Sequence, residues 1–129
     1  MNAYEVIMSQ GKQLCWIGSS KKDLMELPRE VRRMIGYSLE LAQAEQEDCD
    51  AKPLKGFGSA DVREIVKNDS DGTYRAIYTV KFKEIIYVLH VFKKKSKTGI
   101  KTPKHEIELI ENRLKMAQHL YKEWRKNES

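Results

Sequence analysis

The pattern of apolar and polar positions is organised around residues 73–103. From residue 73 to residue 92 Tyr, Val, Ile and Phe dominate, the side chains that suit a pleated, half-buried surface. The run predicts two strands, residues 73–82 and 85–92, with a short connection around Lys83 and Glu84. Residues 61–67 alternate moderately and predict a preceding strand. The Asn, Asp, Ser and Gly of residues 68–72 form the turn between them. The three strands make an antiparallel meander. Upstream, residues 14–17 predict a short strand ending at Gly18. Ser20 with Asp23 resembles a capping box in its shorter acid form, so a brief helix follows, ended or bent by Pro28. Pro28 suits the first turn of a second helix. Val31, Met34, Ile35, Ser38, Leu41 and Ala42 then share one helical face. Residues 52–58, with Gly56 and Gly58, read as a loop. Near the end, Thr102 caps and Pro103 starts a helix, with Ile107, Ile110, Leu114, Ala117, Leu120, Tyr121 and Trp124 as its apolar stripe. Residues 1–13 show no clear period. The fold class is α+β: one domain over residues 1–129, with a lead-in at 1–13 and a core at 14–126. Its parts are a small antiparallel sheet, an N-terminal helical hairpin and a C-terminal helix closing on one face.

Composition sharpens this. The chain has 129 residues, enough for one domain with a real core. Hydrophobic residues at 40% and charged residues at 33% mark a heavily charged globular protein rather than a disordered one. The net charge of +5 favours anionic partners if the charge is clustered. It is clustered: residues 81–104 hold eight lysines against one acid, Glu84. Residues 39–51 are the reverse, with Glu40, Glu45, Glu47, Asp48 and Asp50 and no base. The tail of that segment sits where a helix dipole disfavours negative charge, so fraying is expected there. Cys15 and Cys49 form no CxxC motif and point to a reducing cytosol. No apolar run approaches the ~20 residues a membrane span needs, and the N-terminus has no targeting pattern. The expected location is the cytoplasm, without a membrane partner.

The candidate chemistry is cationic. Lys93, Lys94, Lys95 and Lys97 begin where the second long strand is expected to stop. Taken alone, such a run is as often a solvated strand end as a site for a polyanion. On an antiparallel meander, however, Arg75 at the start of one strand lies near the end of the next, and Arg63 lies on the strand beside it. Arg offers a bidentate fork for phosphate and Lys a mobile point charge. Packed lysines also lower one another's pKa, so that one can act as a general base near neutral pH, while the rest stabilise charge growing on a phosphate. In principle this suffices for metal-free RNA cleavage by 2′-hydroxyl attack. His90 lies within a strand, where a histidine more often packs than catalyses; it joins Arg63, Lys93 and Lys97 as an expected RNA contact. Tyr78, Tyr87 and Phe92 are core by pattern, although aromatics beside a basic patch can stack on bases. There is no P-loop, no Rossmann glycine pattern, no HExxH and no GxSxG, so no metal and no cofactor are expected.

Several segments resemble the RelE/ParE toxin superfamily in its branch of phage-derived HigB-like toxins. They are WIGSSKKDL at 16–24, LPREVRR at 27–33, AKPLKGFG at 51–58, VREI at 62–65, DGTYRAIYTV at 71–80, IYVLHVFKKKSKTGIKTPK at 86–104 and RLK at 113–115. The resemblance implies a RelE-like α+β fold and a toxin of a bacterial type II toxin–antitoxin module. The implied activity is ribosome-dependent mRNA cleavage that inhibits translation. Some relatives instead bind and poison DNA gyrase, and a prophage remnant without activity is a further alternative. The implied partners are a cognate antitoxin, often of helix-turn-helix type, with mRNA and the ribosome. By position, the Arg of the family's YR motif is Arg75 and its paired lysines are Lys94 and Lys95, the implied catalytic residues; Arg63 matches a commonly basic position. Two departures stand out. The loop at residues 96–102 is longer than in the shorter family form, and the C-terminal Arg and Tyr of the RelE enzymes have no clear match.

Overall fold

The computed structural model describes residues 11–58, 61–94 and 102–128. The strands are β1 (Gln13–Trp16), β2 (Ala51–Pro53), β3 (Val62–Asp69), β4 (Gly72–Thr79) and β5 (Ile85–Lys94), and they form one sheet in the order β1-β5-β4-β3-β2. Helices α1 (Ser20–Met25) and α2 (Arg29–Gln43) lie between β1 and β2, and α3 (Lys104–Glu128) follows the sheet.

The expected meander is present as β3, β4 and β5, with shifted ends. β3 and β4 pair from Val62↔Thr79 to Asp69↔Gly72, leaving a two-residue turn. The Asp69 carboxylate closes it by accepting from the backbone amides of Asp71 at 2.8 Å and Gly72 at 3.0 Å. A Cβ at residue 72 would stand 2.7 Å from Cε of Lys93, so the end of that side chain would have to swing aside. β4 stops at Thr79, short of the expected residue 82, whereas β5 continues through Lys94. Lys93 and Lys94 are therefore residues of β5, paired with Tyr74 and Thr73.

Two features of the sheet differ from the sequence reading. β1 is a parallel edge strand, paired with β5 from Gln13↔Ile85 to Trp16↔Val88, so the sheet is mixed. β2, read as loop, pairs with β3 at the opposite edge, where the missing N–H of Pro53 is tolerated.

The C-terminal helix closes on one face as expected, and the N-terminal helices cover the other. On the first face, Leu24, Val31, Ile35, Leu39 and Ala42 of α1 and α2 pack on Ile65, Tyr74, Ala76, Tyr78, Ile86, Val88 and Val91. On the second, Ile110 and Ala117 of α3 pack on Val62, Ile77, Ile85, Tyr87 and Leu89. This two-sided cover is why every residue from Ile85 to Val91 is buried; a strand wet on one side would alternate. A bulge in β5 shifts the register between Ile77↔His90 and Tyr78↔Val88, leaving Leu89 as the extra residue. The bulge turns His90 and Phe92 to the second face, opposite Ile77 and Arg75.

The acidic segment after α2 is anchored, not frayed. Asp48 is buried, where it accepts from the Ser38 hydroxyl and from Lys67 Nζ at 2.9 Å; Lys67 also reaches Asp50 at 2.8 Å. Burial alone would raise the Asp48 pKa, but the Asp50 amide, Ser38 and Lys67 outweigh it and hold the carboxyl well below the usual range.

Candidate functional site

On the second face, the register lines up a row of charges across three strands. Lys52 on β2 stands opposite Glu64 on β3. Glu64 is diagonal to Arg75 on β4, since Glu64 pairs with Ile77 and Val66 with Arg75. Arg75 pairs with Phe92, and Thr73 with Lys94, on β5. Glu64 is only 3% exposed and Arg75 only 5%. Their side chains form a direct ion pair, Lys52 Nζ lies 3.7 Å from the other Glu64 oxygen, and Thr102 Oγ1 accepts from Arg75 at 3.5 Å. Three cations, Lys52, Arg75 and Lys94, thus surround one carboxylate. Two nearly sealed charges are tolerated there because each satisfies the other.

Lys94 is the mobile member. It is half-buried, and its pKa is lowered, first by desolvation and then by the positive charges of Arg75 and Lys52, with Glu64 opposing. The sequence reading assigned such an effect to crowded lysines; here burial leads and Arg75 comes next.

Beside this row a cleft of about 650 Å³ opens between the end of α1, the stretch of β5 beyond its pairing with β1, and the start of α3. His90 and Glu106 line it and are hydrogen-bonded to each other. Arg113 donates to the Leu89 carbonyl at 2.9 Å, to Ser19 Oγ at 3.2 Å and towards His90 Nδ1 at 3.5 Å. Arg has no acceptor, so His90 Nδ1 accepts, and Nε2–H is left to donate to Glu106. Burial lowers the His90 pKa, against the pull of Glu106, which makes neutral imidazole the dominant form at pH 7. Gly18 is needed for Arg113 to pass: its φ is +57°, and a Cβ there would meet the guanidinium at 3.0 Å.

The structure divides the expected site residues between the faces. Arg75 and Lys94 are together on the second face, with His90 and Phe92. Arg63 points to the first face, opposite Tyr78, where it pairs with Glu47 and hydrogen-bonds the Tyr78 hydroxyl; it does not converge with Arg75. Lys93 also lies on the first face, opposite Tyr74, with its ammonium 5.7 Å from that ring, and reaches the rim of the cleft. Lys95 and Lys97 lie outside the described residues. Sequence reasoning missed Lys52, Glu64, Glu106 and Arg113. The Glu64–Arg75 diagonal was within reach, because a two-residue turn at 70–71 fixes the register. Lys52 was not, since a three-residue edge strand has too little pattern. Among the described residues, Asp48, Cys49 and Asp50 bring possible metal-ligand atoms within 4.8 Å of one another, but the Lys67 ammonium already bridges the two carboxylates.

The family described as phage derived protein Gp49-like (DUF891) matches residues 22–115 of the chain. The chain belongs to this family. Among solved structures, the Gp49-like protein is similar to a mutant of E. coli toxin RelE in the free state. That match has 21% identity and a TM-score of 0.50, covering 68% of this chain and 88% of that one. A weaker likeness is to the RelBE2 toxin–antitoxin complex of Mycobacterium tuberculosis, at 19% identity and a TM-score of 0.44, covering 67% and 94%. Among curated proteins none matches. The likeness to RelE establishes the shared fold: an α+β domain with a central sheet, short N-terminal helices and a C-terminal helix. No helix among the described residues is long and apolar enough to cross a membrane.

Proposed function

We propose that this Gp49-like protein is the toxin of a type II toxin–antitoxin module, and that it cleaves mRNA on the ribosome without a metal. The observation that carries this reading is the cationic row on a rigid sheet face, in which a half-buried lysine of lowered pKa sits beside a fixed arginine. The fold of a protein named as a toxin accompanies it.

The chemistry needs little else. Lys94, in its neutral form, accepts the proton of a ribose 2′-hydroxyl. The 2′-oxygen attacks the adjacent phosphorus, the bond to the 5′-oxygen breaks, and that oxygen takes a proton as it leaves. The products are a 2′,3′-cyclic phosphate and a 5′-hydroxyl end. Lys52 and Arg75 stabilise the charge that accumulates on the phosphoryl oxygens. Arg75 keeps Glu64 and acts mainly as a fixed charge behind the phosphate. Lys95, Lys97, Lys93 and His90 belong to the proposed RNA-contacting set, and Lys95 is the second proposed catalytic lysine. A cognate antitoxin of helix-turn-helix type would neutralise the protein, and cytoplasmic ribosomes set its place of work.

The test uses purified protein, ribosomes and a defined mRNA. Fragments with 5′-hydroxyl ends should appear only with ribosomes present and decline about 100-fold in rate with Lys94→Ala, in line with the loss of one transition-state group. An mRNA left whole by the wild-type protein on translating ribosomes would sink the reading.

A further inference from the structure

The cleft beside the cationic row is polar in a particular direction. Lys93 and Lys94 stand on its β5 wall, and two carboxylates, Asp23 and Glu26, stand on its α1 wall. Phe92 of β5 belongs to the same lining, half-buried and stacked on His90 with centroids 4.7 Å apart and planes at 18°. A surface meant only for phosphate has no use for carboxylates, which repel it. A nucleotide, however, has a matching polarity: an anion at one end, an aromatic ring, and a hydrogen-bonding edge at the other.

The two carboxylates are held differently. Asp23 Oδ2 accepts from Ser19 Oγ at 2.7 Å, and Ser19 is itself held by Arg113. Glu26 follows the last turn of α1 as its C-cap, with its backbone amide bonded to the Lys22 carbonyl at 3.1 Å. Among the described residues its carboxylate has no hydrogen bond or ion pair, and it is exposed at the cleft mouth. Its two oxygens are an acceptor pair open to a donor pair.

We propose that this cleft is a nucleobase subsite selective for guanine, with the Glu26 carboxylate accepting from the base's N1–H and 2-amino group, Phe92 supplying the stacking surface, and Asp23 completing the acidic wall. Among the four RNA bases only guanine presents two adjacent N–H donors on its Watson–Crick edge, the geometry that meets both oxygens of one carboxylate. Adenine and cytosine offer an amino group beside an acceptor nitrogen, which faces the second oxygen unfavourably. Uracil offers one N–H between two carbonyls. The volume of about 650 Å³ is ample for one nucleotide, within the ~300–1,000 Å³ of small-molecule sites, and splayed-out bases stacked on aromatics are the usual object of RNA readout. The subsite rests on the ribonuclease reading above and deepens it: a guanosine held here would place its phosphate at the Lys94 end.

The test has two independent readouts. Binding of the four nucleoside 3′-monophosphates to the full-length protein, followed by calorimetry and by amide shifts of Leu27 and Phe92, should favour the guanosine nucleotide. A bidentate contact of this kind discriminates by roughly 5- to 150-fold. Glu26→Gln should bring the four affinities to near equality while the circular dichroism spectrum stays unchanged. Mapping of cleaved mRNA ends should then show wild-type cuts enriched beside G, and Glu26→Gln cuts spread over all bases. Equal affinities in the wild type, no nucleotide binding, or a guanine preference that survives both Glu26→Gln and Asp23→Asn would each overturn the subsite. So would wild-type cuts without base preference, which would leave the ribonuclease reading intact. Guanine-selective binding with no cleavage would do the opposite, upholding the subsite and removing the ribonuclease.

Discussion

Arg75 and Glu64 hold opposite charges on the second face of the sheet, each nearly sealed from water. That burial changes what a substitution at Arg75 measures. Arg75 stands outside the apolar pattern of the sequence, which gives no sign of its burial. In the structure, Arg75→Ala leaves the Glu64 carboxylate buried without its direct partner, with the Lys52 ammonium at 3.7 Å and the charge of Lys94 nearby. Breaking a buried pair costs about 3–5 kcal/mol, so this variant should unfold at clearly lower urea. The double variant Arg75→Met, Glu64→Leu should recover much of the loss; equal stability of Arg75→Ala and wild type would show the pair to be solvated. Lys94→Ala, by contrast, removes a half-buried charge with no ion-pair partner among the described residues, and should change stability by only about 0.5 kcal/mol. Asp48 gives a third residue-level expectation. Its folded pKa is depressed, so its contribution is complete above the unfolded value of about 3.9 and is lost as pH falls from there towards the folded value. The urea midpoint should drop as pH falls below about 4. Asp48→Asn, already weaker at pH 7, should drop less over the same range.

At the scale of elements, α3 is the piece whose docking decides the second face. Its contact has an apolar centre and a polar clamp. Ile110 and Ala117 are fully buried, Ile107, Leu114, Tyr121 and Trp124 pack around them, and Leu120, placed in the stripe by spacing, is 44% exposed. Near the C-terminal end of α3, the Tyr121 hydroxyl donates to Glu84 at 2.5 Å and Arg125 donates to it at 2.6 Å, while the Tyr121 and Phe82 rings lie 4.4 Å apart. Ile110→Ala should cost about 2–5 kcal/mol and lower the melting temperature more than Leu114→Ala, whose side chain is only partly covered. Thermal melts of the two variants check the order. Similar small losses from both would mean that α3 is held by its clamp rather than by its apolar centre. The same helix brings Glu106 to His90 and Arg113 to Leu89 and Ser19, so undocking it would also release one wall of the cleft.

For the whole molecule, charge is distributed unevenly between the two faces of the sheet. Basic residues on the second face stand beside a cleft, whereas Arg63 and Lys67 on the first face are tied to Glu47, Asp48 and Asp50. Charge is thus partly neutralised on the first face, while Lys52, Arg75 and Lys94 gather around Glu64 on the second, an arrangement that suits an anionic partner. Brief induction in cells should depress amino-acid incorporation before thymidine incorporation. Pulse labelling reads both, and a prior fall in DNA synthesis, with mRNA intact, would favour the gyrase-binding alternative.

The sequence by itself determined the elements that rest on local periodicity and turn chemistry. The β3–β4–β5 meander, the α2 stripe of Val31, Ile35, Ser38 and Ala42, and the Pro103 start of the last helix all follow from side-chain spacing and backbone restriction, which act within a few residues. The YR and KK pairs were visible for the same reason, as neighbours in sequence. Only the tertiary structure decided what depends on distant pairing. β1 joins β5 in parallel because the sheet has an open edge there, not because of anything within residues 13–16. α3 takes the face opposite α2, since an unbroken apolar strand needs cover on both sides but does not say which helix supplies it. Arg63 and Arg75 part company because the side-chain period of a strand is two and their register sets them on opposite faces. Lys52, Glu64 and the α3 pair Glu106 and Arg113 reach the site from three separate stretches of the chain, and no spacing along the sequence encodes a meeting that burial and register impose.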